Sequence, residues 1–220
     1  MKTDIDLQRD VLDEIAWEPS LRAPEIGVTV SDGIVTLTGS VENFPAKWSA
    51  ENAALRVAGV RAVVNDVEVE LSTEDRRTDE DIARAASDAL EWHILLPKHL
   101  PVVVDDGWVT LTGKVHWQFQ KIAAEETVMR LTGVTGVTNH ITVEPQVSPS
   151  NVNIKIEADL QSRAALDAGG IHVKNEDGKV TLEGTVGTWA EKKAAEEAAW
   201  SAPGVTQVDN KISVHGGSND

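Results

Sequence analysis

One 45-residue pattern occurs three times in this chain without a gap: residues 26–70 lie over 100–144 and over 171–215, with sixteen positions identical in all three copies. A sequence that repeats in this way folds as repeated units rather than around one continuous core. The repeat sets modules at 1–71, 77–145 and 150–216. Between them lie a charged stretch, 72–77, and a second segment, 144–150, whose Pro145 and Pro149 can continue neither a helix nor a central strand.

Each copy is centred on an Asp-Gly pair: Asp32-Gly33, Asp106-Gly107 and Asp177-Gly178. Apolar residues alternate on both sides, with Ile26, Val28 and Val30 before the first pair and Val35, Leu37 and Val41 after it. Asp-Gly between alternating runs predicts a tight hairpin, because both turn positions need positive φ. The alternation also pins the register, since a slip of one residue would turn Val28, Val35 and Leu37 to solvent. Gly39, Gly113 and Gly184 interrupt the apolar face of the second strand. Close approach of a helix is the expected reason, and approach of a ligand the sharper alternative.

One helix precedes each hairpin and another follows it. Leu7, Val11 and Ile15 share a face at four-residue spacing, as do Ile82, Ala86 and Leu90, and Val152, Ile156 and Leu160. Asp4 or Asp6 supplies an acidic first turn for the first of these helices, Thr78 with Asp81 a cap for the second, and Ser150 stands ahead of the third. The inner positions of the following helix are small, which lets it lie close on a sheet: Ala50, Ala53 and Ala54, then Ala124 and Val128, then Ala195, Ala198 and Ala199. It stops ahead of Gly59, Gly133 and Gly204.

A last strand carries Val63, Val67 and Val69 or their counterparts, with Asn65, Asn139 and Asn210 on the face that should be apolar. A buried asparagine must be hydrogen-bonded, so these are expected to tie down neighbouring chain, with a polar ligand as the alternative. Each second helix also pairs a lysine with a glutamate four residues on: Lys47 with Glu51, Lys121 with Glu125, Lys192 with Glu196. That is the poorer orientation of a pair worth about 0.2 to 0.5 kcal/mol. Helix stability therefore accounts for the glutamates better than for the lysines.

Each module reads helix, strand, strand, helix, strand, an α+β order. An amphipathic helix, Asp-Gly-x-Val-Thr-Leu-x-Gly-x-Val, an alanine-rich helix and Gly-Val-x-x-Val-x-Asn-x-Ile/Val-x-Val together resemble the BON domain, the bacterial OsmY and nodulation module, over nearly the whole chain. The resemblance implies three tandem αββαβ modules, each a three-stranded mixed sheet with two helices packed on one face. It also implies a bacterial binding protein: members are linked to osmotic or envelope stress, to phospholipid binding and to a transport-associated label, and one branch to potassium.

The chemistry-bearing residues point away from catalysis. The chain has no cysteine, which excludes disulfides and thiolate sites. Its six histidines, at 93, 99, 116, 140, 172 and 215, show no close metal-ligand pairing, and neither GxxxxGK[ST] nor GxSxG occurs. Asp105-Asp106 and Glu176-Asp177 are read as turn residues. The expectation is an acid-rich binding protein with no catalytic residue, no cofactor and no metal site.

Twenty basic against thirty-six acidic side chains give a net charge of −16, which repels nucleic acid and anionic membranes at long range unless a local patch overcomes it. No apolar run approaches the ~20 residues of a membrane-spanning helix. The acids among the first six residues also differ from a signal peptide. A cytoplasmic location is expected, or a periplasmic one if a leader has been removed.

Seven tryptophans with no tyrosine leave more aromatic surface than modules of about 70 residues easily bury. Phe44 and Trp48, Trp117 and Phe119, and Trp189 gather at the junction of second strand and second helix. They cap the core or form a contact surface, between modules or with a lipid or protein partner. The candidate binding residues are therefore Trp48, Trp117 and Trp189 with Lys47, Lys121 and Lys192. Trp200 is expected in the core and Trp108 at the surface. The preferred function is a stress-related binding array that engages a phospholipid membrane or a protein partner. The alternative is a soluble sensor of an osmolyte or of a potassium-like monovalent cation.

Overall fold

The computed structural model of the chain describes residues 2–144, 171–176, 178–202, 205 and 207–214. In the first module, α1 (Asp4–Ala16) and a short 3-10 turn (Ala23–Glu25) lead into β1 (Ile26–Ser31) and β2 (Ile34–Val41), then α2 (Phe44–Arg56) and β3 (Ala62–Val69). The second module has α3 (Asp79–Trp92), β4 (Val102–Asp105), β5 (Trp108–Leu111), β6 (Lys114–Val115), α4 (Gln118–Met129), β7 (Gly136–Asn139) and β8 (Thr142–Val143). In the third, β9 (Ile171–Glu176), β10 (Lys179–Val186), α5 (Trp189–Ser201) and β11 (Gln207–Val214) follow the same order. The first helix expected there, with Val152, Ile156 and Leu160 behind Ser150, lies outside the described residues, as do Asp177, Gly204, Pro145 and Pro149.

In every module the second strand is the middle one, in the orders β1-β2-β3, β4-β5-β7 and β9-β10-β11. The hairpins are antiparallel in the register that alternation requires, with Val28 opposite Leu37, Val102 opposite Leu111 and Val173 opposite Leu182. The last strand is added in parallel, β7 on β5 and β11 on β10. In the first module Arg61 N–H reaches Gly33 O and Glu70 N–H reaches Val41 O, both at 2.8 Å, so the bonds advance in the same direction along β2 and β3. The sheets are therefore mixed, as the α+β reading requires. In the second module β5 resumes after Gly113 as β6, which pairs with β8.

Helices cover one face. Around the second sheet, Ile82, Ala86 and Leu90 of α3 and Ala124 and Val128 of α4 share one buried cluster with Val109 and Leu111 of β5. In the first module Leu7, Val11, Ile15, Ala50, Ala53 and Ala54 are all buried. By its internal contacts the chain resolves into two compact units. One is Met1–Gly39 with Ser49–Val67 and Val147–Asp220, the other Ser40–Trp48 with Glu68–Gln146. The division through α2 has a visible cause: Phe44, its first residue, packs against the core of the second module.

The turns have the left-handed geometry that Asp-Gly favours, with φ of 52° and 74° at Asp32 and Gly33 and 48° and 76° at Asp106 and Gly107. Their outward amides need acceptors that the hairpin does not supply. The helix supplies them. Asp4 accepts from Asp32 N–H at 2.9 Å and Gly33 N–H at 3.1 Å, and Asp79 accepts from Asp106 N–H at 3.0 Å and Gly107 N–H at 2.9 Å.

One expectation is corrected. A Cβ on Gly39 would run into the Glu25 carbonyl, and one on Gly113 would press on Leu100 at 3.1 Å and Pro101 at 3.3 Å. The 3-10 turn and the chain entering the first strand, not a packed α-helix, crowd these glycines.

Replacing Asp79 by alanine strips two tip amides of a charged acceptor. Chemical denaturation should show the second module destabilised by about 1.5 to 3 kcal/mol, and an unchanged midpoint would refute the clasp. At the start of α1, the Thr3 hydroxyl donates to Asp6 at 2.7 Å and lowers the Asp6 pKa below its ordinary value. A depressed carboxyl contributes stability above the unfolded-state pKa and loses it as pH falls through the folded one. Thr3→Ala should therefore be less stable than the parent at neutral pH, with the gap narrowing below about pH 4.

Candidate functional site

The asparagines on the inner face are structural ties. Asn65, Asn139 and Asn210 each donate through Nδ2 to the glutamate of the helix pair, Glu51, Glu125 and Glu196, at 3.1, 3.0 and 3.1 Å. Each Oδ1 accepts the N–H two residues on, at Val67, Ile141 and Ile212. In the second and third modules Nδ2 also reaches the carbonyl of the paired lysine, Lys121 at 2.9 Å and Lys192 at 3.2 Å. The three glutamates thus share one structural task, accepting these amides.

The six candidate residues all lie at the start of the second helix of a module, in different settings. Trp48 is exposed in α2, and Trp117 sits at the N-cap of α4, stacked on Phe119 with centroids 6.5 Å apart. Trp189 opens α5 half-buried, and its indole N–H donates to the carbonyl of Arg61 in the first module at 2.8 Å. The Lys192 ammonium lies 5.2 Å from the Trp189 ring centroid and donates to Ile212 O at 2.6 Å. Lys47 and Lys121 are half-buried. The structure thus joins Trp189 with Lys192 and turns that pair toward the chain itself. Trp200 packs at the edge of the third core, and Trp108 is exposed.

Among the described residues, the largest apolar exposure lies away from the six candidate residues. Trp17 and Trp92 end α1 and α3 with 84% and 88% of their surface open. After Trp92 the chain runs through Ile94, 94% exposed, and Leu95, 51% exposed, while Leu96 and Leu100 turn into the core. His99 in this loop has a left-handed φ of 66°, uncommon for a side-chain-bearing residue.

Gln120 of α4 fastens the loop. Its Nε2 donates to Leu95 O at 2.6 Å, and its Oε1 accepts from His116 N–H and Trp117 N–H at 3.0 and 3.1 Å. The bond holds Leu95, and with it the exposed run from Trp92, at the start of α4, where the exposed Trp117 and Phe119 stack. The segments that meet here, 92–100 and 113–121, contain no aspartate or glutamate in a chain that has thirty-six. They carry Lys98, Lys114 and Lys121 with His93, His99 and His116. Lys114 is paired with Glu144 at 2.7 Å. The local surface is apolar and basic on an acidic protein. Two runs of exposed apolar residues beside acid-free sequence were the available signal.

Among the described residues, no three histidines, cysteines or carboxylates are grouped so as to hold a metal ion. No described helix is long and apolar enough to cross a membrane.

Comparison with known proteins gives one family. The BON domain model matches residues 3–70, 78–145 and 150–216. No curated protein sequence matches the chain. Among solved structures, the C-terminal domain of CdsD, described as the structural protein of the type III secretion system of Chlamydia trachomatis, is 14% identical. That likeness covers 97% of this chain and 99% of that chain at a TM-score of 0.25. A second CdsD structure gives 16% identity, coverage of 95% and 92%, and a TM-score of 0.26. The PrgH periplasmic domain gives 11%, 92%, 98% and 0.22. Overlays at these scores say nothing about the partners of this chain.

Asn139→Ala should destabilise the second module by about 1 to 3 kcal/mol, through the stranded Ile141 N–H and the lost acceptor contacts. Gln120→Ala should leave the core intact and speed amide exchange across residues 94–96. An exchange pattern unchanged in that loop would show that Gln120 does not hold it.

Proposed function

The chain belongs to the BON domain family, and we propose that it is a non-catalytic array of three such modules that docks on a phospholipid membrane through its second module. The family is one of binding domains, associated in general with membrane or phospholipid contact. The observation that carries the reading is the surface made by Trp92, Ile94 and Leu95 with the stacked Trp117 and Phe119, on segments free of acidic residues. An exposed patch of that kind marks an interaction site. Tryptophans at the rim suit the membrane–water interface, while Lys98 and Lys121 can extend their ammonium groups to headgroups.

Of the six residues expected at a binding surface, Trp117 and Lys121 belong to this one. Trp48, Lys47, Trp189 and Lys192 occupy the corresponding helix starts of the other modules and are assigned no lipid contact. Osmotic or envelope stress, the setting suggested by the family pattern, is the condition proposed for its use. Membrane lipid is preferred to a protein partner because Ile94 and Leu95 protrude side by side from the loop after α3.

Flotation of the full chain with vesicles of phosphatidylcholine, alone and mixed with phosphatidylglycerol, tests the reading. The parent should float with the mixed vesicles, and Ile94→Asp with Leu95→Asp should reduce the floated fraction about tenfold, the scale expected when two buried apolar contacts become charged. A parent chain retained by neither vesicle would overturn it.

A further inference from the structure

The three modules share their inner faces and diverge on the outer face of the sheet beside the hairpin. Four corresponding positions read Ser31, Ile34, Ala62 and Val64 in the first module and Glu176, Lys179, Gln207 and Asp209 in the third. In the second they are Asp105, Trp108, Gly136 and Thr138. These four residues form a unit. Trp108 is 47% exposed, and its indole N–H donates to Thr138 Oγ1 at 2.8 Å. Its six-membered ring lies over Gly136, where a Cβ would collide with the ring carbons. Gly136 lies within β7 and is absent from the left-handed glycines, so its backbone does not demand glycine; clearance for the ring does. One face of the indole is thus held down on the sheet, and the other is turned to solvent.

Asp105 stands directly opposite Trp108 in the antiparallel register, which puts both side chains on this face. Asp106 at the tip shares a cavity with Arg76 and Arg77, so Asp105 is the carboxylate offered beside the ring. An immobilised tryptophan face next to a carboxylate attracts cations. Potassium or sodium would have to shed strongly held water to use the ring. A methylated ammonium presents weakly hydrated methyl groups and keeps its charge, so it can rest on the indole and face the carboxylate together. We propose that Trp108 and Asp105, with Gly136 giving clearance and Thr138 fixing the ring, form a site for a quaternary ammonium group. It shares no residue with the apolar surface assigned to lipid docking and does not depend on that assignment.

The test is a nitrogen-15 correlation spectrum of the full chain, in which the Trp108 indole resonance is assigned by its loss in Trp108→Ile. Choline chloride should move that resonance saturably in the millimolar range, while potassium chloride at the same ionic strength should not. Asp105→Asn should raise the half-saturation concentration about threefold, the size expected for one exposed charge contact. Trp108→Ile with Gly136→Ala installs the pair that the first module uses at these positions, so the sheet should fold, as circular dichroism would verify, and no choline-dependent shift should remain elsewhere on this face. Dihexanoylphosphatidylcholine below its micelle concentration separates the two sources of the group. A response to choline assigns a free cation, and a response to the lipid alone assigns a headgroup. Equal shifts with potassium, or silence toward both choline and the lipid, would overturn the site.

Discussion

The contact on which the first two modules depend is a carboxylate clasping two amides. A two-residue turn with both positions left-handed points its N–H groups outward, where the strands cannot use them. Asp4 and Asp79, at the first residue of the leading helix, close on these amides from 28 and 27 residues away in sequence. Charge-assisted bonds of this kind are worth more than neutral ones, and here they also fix geometry. Once the start of the helix is tied to the hairpin tip, Leu7, Val11 and Ile15, or Ile82, Ala86 and Leu90, run along the sheet and fill it. The helix then needs only its apolar stripe to find its place.

A second tie works from the other side of the module. The asparagine of the last strand bonds the glutamate of the second helix and the amide two residues further along its own strand. Such a group satisfies all its neighbours only when strand and helix are in register, so it specifies position as well as adding stability. With the first helix held at the hairpin and the second at the last strand, the inner face has little freedom to vary. The outer face and the loops carry no such demand. That is where the copies differ: Trp108 over Gly136 in one, Ile34 with Ala62 and Lys179 with Gln207 in the others.

Much of this was legible from residue order alone. Alternation around Asp-Gly gives the strands and their register, and the four-residue spacing of apolar residues gives the leading helices, because both patterns are local. The clasp was not legible, since nothing in the sequence links Asp4 to an amide at residue 32; only an acidic first turn showed. The asparagine tie was half visible. Asn and Glu recur fourteen residues apart in every copy, yet the glutamate was read with its neighbouring lysine because helix spacing offers that partner first. The reason for Gly39 was misassigned for a similar cause, as the crowding chain is the irregular approach to β1, which no periodicity describes. The loop after α3 escaped notice because Ile94, Leu95 and Leu96 are consecutive apolar residues, and without a period there is no telling which turn inward. Trp189 shows the same limit across modules: its partner is a backbone carbonyl more than a hundred residues away.

Net charge opposes the proposed membrane docking at long range, and distance decides the matter. At an ionic strength near 0.1 M, charges farther apart than about 10 Å are largely screened from one another. A lipid headgroup touching Trp117 would therefore feel Lys121 and Lys98 far more than acids beyond that distance. The excess of −16 would act mainly on approach, slowing encounter with an anionic surface, whereas apolar contacts of Ile94 and Leu95 would act after arrival and be insensitive to salt. The absence of acidic residues from 92–100 and 113–121 matters for this reason, and Glu144 beside them is paired with Lys114. Glu91, adjoining Trp92, is a carboxylate within the screening distance that opposes an anionic headgroup at contact.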